Sequence, residues 1–226
     1  MQSQRPLAAI TGACSAIGYE LARQFAQHGY DLIAVSEDDG IERLAGELAE
    51  HGCQLKALQL DMATLEGQRA FVRAVQWEAE YRPLDALAIH ASVGVCGEFA
   101  RETPLDEELS LLELDVLGSV RLTKALLPHM IKQRHGRVLL SSSKAALHAC
   151  PYEAVYAASK AFMLSFAGSL RAELKDTGVS VTALLAGDGD AALTARTGFR
   201  ALMAGEERAS ASVFMGYERM PLATAV

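Results

Sequence analysis

The stretch Leu7-Ala8-Ala9-Ile10-Thr11-Gly12-Ala13-Cys14-Ser15-Ala16-Ile17-Gly18 carries a short apolar run straight into a glycine-bearing turn, and an amphipathic segment follows directly over 17–28. An apolar run of that length bounded by a turn reads as a buried strand, whereas apolar residues at three-to-four spacing read as a helix with one face on a core. Glycine at such a turn permits a tight bend and the close approach of a pyrophosphate, whose charge is met by unpaired N–H groups and the positive end of the helix. A glycine-rich turn alone is weak evidence; the strand before it and the helix after it give it meaning.

The same alternation repeats along the chain. β-like runs at 7–11, 31–35, 54–60, 84–90, 137–141 and 179–185 alternate with helical patterns at 17–28, 41–51, 65–80, 106–132 and 152–177, and a further helix contains Phe199-Arg200-Ala201-Leu202-Met203. Strands joined by helix-length crossovers pair in parallel, and a parallel sheet has to be covered on both faces. The expected fold is therefore α/β: a single-domain, Rossmann-like doubly wound parallel sheet over residues 1–226, with ligands beyond the carboxyl ends of the strands. Gly205-Glu206-Glu207-Arg208 reads as the end of the last helix and Ala211-Ser212-Val213-Phe214 as a final edge strand. No repeat, low-complexity tract or linker marks a boundary.

Half of the 226 residues are hydrophobic, enough for a sizeable core. A net charge of −7 and a pI near 5.4, with no compensating Lys/Arg run, argue against a nucleic-acid partner. Cys14, Cys53, Cys96 and Cys150 form no C-x-x-C pair and no metal spacing, so they read as small buried hydrophobes and no metal is expected. No apolar stretch approaches the roughly 18 residues that span a bilayer, and no secretory h-region opens the chain, which makes the cytoplasm the expected location.

Ser143 is followed thirteen residues later by Tyr156, and Lys160 stands four beyond it in Tyr156-Ala-Ala-Ser-Lys160. Residues four apart share a helix face, so Tyr156 and Lys160 would project into one site. A phenol with a pKa of about 10 is a poor acid/base near neutrality, and a neighbouring ammonium makes it a better one by favouring its ionised form. Together the three residues offer a carbonyl-polarising hydroxyl, a proton donor and a cation. The Tyr-x-x-x-Lys pair by itself is weak evidence, and its place on the fold gives it weight.

With these residues in place the sequence resembles the short-chain dehydrogenase/reductase family, whose glycine motif is T-G-x-x-x-G-x-G and whose site is a Ser with Tyr-x-x-x-Lys. The resemblance covers nearly the whole chain and extends to Asp61-Met62 after the third strand and to Gly136-Arg137-Val138 leading into the serine strand. It implies hydride transfer between a nicotinamide cofactor and a small carbonyl or alcohol, with Tyr156 as acid/base, Ser143 holding the substrate oxygen, and Lys160 bonding the nicotinamide ribose. The cofactor would lie along Thr11, Gly12, Cys14, Ser15, Ala16, Ile17, Gly18, Ser36, Glu37, Asp61, Met62, His90, Ala91, Ser92, Tyr156, Lys160 and Gly187. A homodimer or homotetramer through the two long helices is implied as well, with Leu111, Leu112, Val116, Phe162 and Phe166 as core or interface.

The departures from the family pattern fall around the cofactor. Ala16 replaces the middle glycine: its methyl either crowds the pyrophosphate or simply strengthens the helix start, by up to about 1 kcal/mol. Ile89-His90-Ala91-Ser92 stands where the family has Asn-Asn-Ala-Gly, and His90 is expected to pack at the strand end with one nitrogen satisfied. Asp115 replaces an Asn that serves the proton relay, so it counts as a fourth catalytic position. A carboxylate there would partly cancel the field of Lys160 at Tyr156. Ala186-Gly187-Asp188-Gly189-Asp190 replaces a Pro-Gly turn, and only about ten residues then remain before the last helix, where a lid is usual. Ser36 and Glu37 offer no base for a 2′-phosphate, which favours NAD over NADP. The altered motifs also leave open a member that binds a nucleotide or protein partner without turnover.

Overall fold

The computed structural model describes residues 5–91, 93–187 and 189–211. Strand β1 (Leu7–Thr11) leads through the glycine turn to α1 (Ala16–Gln27), followed by β2 (Asp31–Ser36), α2 (Ile41–Ala49), β3 (Leu55–Gln59), α3 (Leu65–Ala79) and β4 (Leu84–Ile89). The second half contains α4 (Leu105–Leu112), α5 (Ser119–Gln133), β5 (Gly136–Ser143), α6 (Ala154–Glu173), β6 (Val179–Ala186), α7 (Ala191–Ala204) and β7 (Arg208–Ser210). The strands form one sheet in the order β3-β2-β1-β4-β5-β6-β7, and every pairing is parallel. This is the doubly wound, Rossmann-like arrangement expected from the alternation.

Alternate residues of each strand feed opposite layers, as the two-residue period of a strand demands. Ala8, Ile10, Leu32, Ala34, Leu139 and Leu184 face a layer with Leu21, Phe25, Leu44 and Phe199, where the Phe25 and Phe199 rings meet edge to face at 5.0 Å. Leu7, Ala9, Ile33, Val35, Leu87, Val138 and Leu140 face the other, with Phe71, Val75, Leu126 and Met163. Helices α1, α2 and α7 therefore cover one face, and α3, α5 and α6 the other. The chain runs outward from β1 to β3 and returns to β4 on the far side of β1, which opens a crevice beyond the carboxyl ends of β1 and β4.

Two expectations need correction. The long helix expected over 106–132 is broken by a π-helical turn, Glu113–Gly118, between α4 and α5. Such wide turns re-aim side chains inside otherwise regular helices, and this one carries Asp115. The last helix begins at Ala191, where Asp190 accepts a hydrogen bond from Leu193 N (3.0 Å) and caps it, and it ends on Gly205 at φ 68°. Only residues 187–190 separate it from β6, fewer than the ten or so read from the sequence. The last strand among the described residues is Arg208–Ser210, and residues 212–214 of the edge strand expected at 211–214 lie outside them. The cysteines also differ from expectation: Cys53 is buried, Cys14 and Cys150 are half-buried and Cys96 is exposed.

Candidate active site

Thr11 and His90 tie the ends of β1 and β4 together: Thr11 Oγ1 donates to His90 O (2.9 Å) and accepts from His90 N (3.0 Å). Gly12 follows at φ +65°, and a Cβ there would stand 2.6 Å from His90 O, so a side chain is excluded by both conformation and space. Ser15 caps α1 by accepting from Gly18 N (3.1 Å), and a Cβ on Gly18 would lie 2.0 Å from Gly12 O. The turn is thus held tightly against the helix start. A cavity of about 510 Å³ opens beside it, lined by Thr11, Gly12, Ser15, Ser36, Glu37, Asp61, Met62, His90 and Ala91.

A larger cavity of about 860 Å³ adjoins the first at His90, Ala91 and Val93, and it contains Ser143, Tyr156 and Lys160 together with Ile17 and Gly187. Ser143 ends β5, and its Oγ accepts from Ala145 N (3.1 Å), which leaves the hydroxyl proton available to a ligand. Ser142 Oγ donates to Lys160 O (2.7 Å), fastening α6 to β5. As the four-residue spacing requires, Tyr156 and Lys160 share one face of α6, with Lys160 Nζ 5.3 Å from the Tyr156 ring centroid.

Lys160 is buried, and its ammonium has two partners within the protein. Nζ lies 2.8 Å from Asp115 Oδ2 and donates to Ala91 O at 3.3 Å, while Ser159 Oγ donates to the same Asp115 oxygen at 2.7 Å. Asp115 lies outside the lining of both cavities and reaches the site only through Lys160 and Ser159. The juxtaposition expected from the aligned position is present.

His90 departs from expectation. It is buried, and neither ring nitrogen has a hydrogen-bond partner among the described residues. Burial, reinforced by the positive charge of Lys160, pushes its pKa down to about 3, so it stays neutral through the physiological range and does not titrate near neutrality. The cost of the orphaned nitrogens is built into the fold at this point.

Of the remaining expected cofactor residues, Cys14, Ala16 and Gly18 line neither cavity, and Ala16 is exposed at the first position of α1. Ser92 and Asp188 lie outside the described residues. The residues present fit an extended dinucleotide: two adjoining cavities, a glycine turn packed against the end of β4 beside them, and a capped helix start. Lys144, Leu193 and Thr194 also line the larger cavity and were not singled out from the sequence. Asp190 followed by Ala-Ala-Leu-Thr-Ala is an N-cap signature that would have revealed the early start of α7.

The family model described as short chain dehydrogenase matches residues 6–198. The oxidoreductase UcpA of Salmonella typhimurium is 36% identical over 182 residues, covering 80% of this chain and 68% of that protein. A dehydrogenase/reductase SDR family protein 7-like of Drosophila melanogaster is 35% identical, covering 79% of this chain and 55% of its own length. The L-sorbose reductase of Gluconobacter frateurii, solved with NADPH and L-sorbose, superposes with a TM-score of 0.74 at 28% identity, over 80% of this chain and 69% of that one. The bulky-bulky ketone specific alcohol dehydrogenase of Comamonas testosteroni shares the fold at a TM-score of 0.87 and 23% identity, over 93% of this chain and 87% of that one. With the glycine turn, the parallel sheet and the Ser143, Tyr156 and Lys160 cavity already described, the chain belongs to the short-chain dehydrogenase/reductase family.

Proposed function

We propose that this chain transfers a hydride between a nicotinamide cofactor and a small carbonyl or alcohol, with Tyr156 as general acid/base. One observation carries the reading: Ser143, Tyr156 and Lys160 line a single cavity that continues through His90 and Ala91 into the cleft at the glycine turn. A bound nicotinamide would supply or accept the hydride. The protein's own part is positioning and proton transfer. Ser143 donates to the substrate oxygen, Tyr156 gives or takes the proton there, and Lys160 keeps a positive charge beside the phenol. Thr11, Gly12, Ser15, Asp61 and Met62 would hold the nucleotide.

NAD is favoured. Glu37 and Ser36 line the smaller cavity, and no Lys or Arg is among its lining residues, so a 2′-phosphate would meet a carboxylate and no base. NADPH accompanies the sorbose reductase, whereas the described residues lining this cleft offer that phosphate no cationic side chain. The chain would act as one domain in the cytoplasm. Leu109 on α4, Leu117 on the π turn and Phe162 on α6 are exposed, which supports a homodimer or homotetramer through these helices. A second reading, nucleotide binding without turnover, is favoured by one observation: the counter-ion Asp115 against Lys160.

Calorimetric titration with NADH and NADPH, followed by NADH oxidation with a panel of ketones and aldehydes, tests both readings. NADH is expected to bind more tightly than NADPH and to be consumed. Binding without consumption by any carbonyl selects the second reading, and binding of neither nucleotide sinks both.

A further inference from the structure

Lys144 follows Ser143 directly and opens a short 3₁₀ turn, Lys144–Leu147, at the mouth of β5. Its side chain lies across Gly187 at the end of β6: a Cβ on that glycine would stand 2.9 Å from both Cδ and Cε, and 3.0 Å from Nζ. Ser143 pairs with Ala186, the residue before Gly187. The ammonium therefore lies over the strand next to the serine that would hold the carbonyl oxygen, and both residues line the same cavity. Lys144 is half-buried and lines the larger cavity.

The two lysines of this cavity differ in what satisfies them. Lys160 is neutralised by Asp115, whereas Lys144 makes no ion pair or hydrogen bond among the described residues. The carboxylates lining the cavity are those of Glu153 and Asp190, and Asp190 is committed to capping Leu193 N. A half-buried ammonium that has no counter-ion among the described residues gains from an anion that arrives with the ligand.

We propose that Lys144 is a substrate-binding residue that takes an anionic group, so that the preferred substrate is an oxo acid or hydroxy acid with its carboxylate on the reacting carbon or a short chain away from it. This deepens the oxidoreductase reading and rests on it for the role of Ser143. An anion at Lys144 has two sources of the same chemistry, a substrate carboxylate or a phosphate of the cofactor, and the substrate is the assignment made here.

The test compares 2-oxobutanoate and 4-oxopentanoate with their methyl esters. Their binding is measured by calorimetry to wild type, Lys144→Gln and Lys144→Arg, each with and without saturating NAD⁺, so that no turnover is required. NADH affinity is measured on the same three proteins. A charged hydrogen bond is worth about tenfold or more in affinity, so at least one acid should bind wild type about tenfold better than its ester. Lys144→Gln should erase that difference, Lys144→Arg should retain it, and NADH affinity should stay within about twofold. Equal binding of acid and ester to wild type overturns the proposal. Weakened NADH binding in Lys144→Gln, with the acid preference intact, overturns it in favour of a cofactor phosphate. Absence of NADH binding with a Lys144-dependent acid preference on the protein alone would sink the hydride-transfer reading and keep the anion site.

Discussion

Asp115 Oδ2 stands 2.8 Å from Lys160 Nζ, so the cation beside Tyr156 carries its own buried counter-ion. The pairing holds the lysine in place and at the same time weakens its field at the phenol. Asp115→Asn retains the shape and an acceptor for Ser159 Oγ while removing the negative charge. Turnover should rise severalfold and the pH–rate profile should move to lower pH. A melting temperature below wild type is expected, because breaking a buried ion pair costs about 3–5 kcal/mol. An unmoved pH–rate profile would count against a field effect of Asp115 on Tyr156.

Tyr156→Phe separates binding from chemistry. The ring and its contact with the Lys160 ammonium remain, and the hydroxyl proposed as acid/base is lost. The turnover number should fall by about a hundredfold or more, while the dissociation constant for NADH changes by less than about threefold. Stopped-flow NADH oxidation and calorimetry measure the two quantities, and retention of turnover would remove Tyr156 from the proton-transfer role.

Glu37 lines the smaller cavity, where the proposed function places the adenosine end of the cofactor. Glu37→Arg replaces a repelling carboxylate by a bidentate phosphate donor at an exposed position. The ratio of NADPH to NADH affinity should rise about tenfold or more, read by fluorescence titration. An unchanged ratio would show that nucleotide choice is made elsewhere in the cleft.

His90 makes the folded state sensitive to acid. Its pKa is about 3 in the folded chain against an ordinary value of 6.5, so between those values the unfolded chain takes up a proton that the folded one refuses. The stability tied to neutral His90 is therefore complete above pH 6.5 and drains away as the pH falls toward 3. Between pH 6.5 and 5 the loss is roughly 2 kcal/mol. Urea unfolding of wild type and His90→Asn at pH 7.5 and 5.0 should show the wild type losing more stability by about that amount. Equal losses would mean that His90 is protonated in the folded protein.

Gly18 and Gly12 were legible because their roles are local. A strand, a turn without side chains and a helix start lie within one short stretch, and the two- and three-to-four-residue periods on either side record which faces are buried. The shared face of Tyr156 and Lys160 was legible for the same reason, since a helix fixes residues four apart. The identity of Asp115 as a neighbour of Lys160 came from the family resemblance, and the tertiary structure supplied the 2.8 Å contact through a π turn that no periodicity encodes.

What only packing decided are contacts between elements distant in sequence. His90 was expected to have one satisfied nitrogen; enclosure between the ends of β1 and β4 left it with none and made it neutral. The space assigned to a reduced lid is taken by the first turn of α7, and Lys144 crosses Gly187 because β5 and β6 pair in a register that brings Ser143 opposite Ala186. The sequence by itself determined the sheet, its two buried faces and the helical pairing of Tyr156 with Lys160, because backbone periodicity and chain direction are local properties. The tertiary structure alone decided which charge neutralises which, and therefore that Lys160 is committed while Lys144 has no counter-ion among the described residues, because those distances depend on how separately formed elements pack.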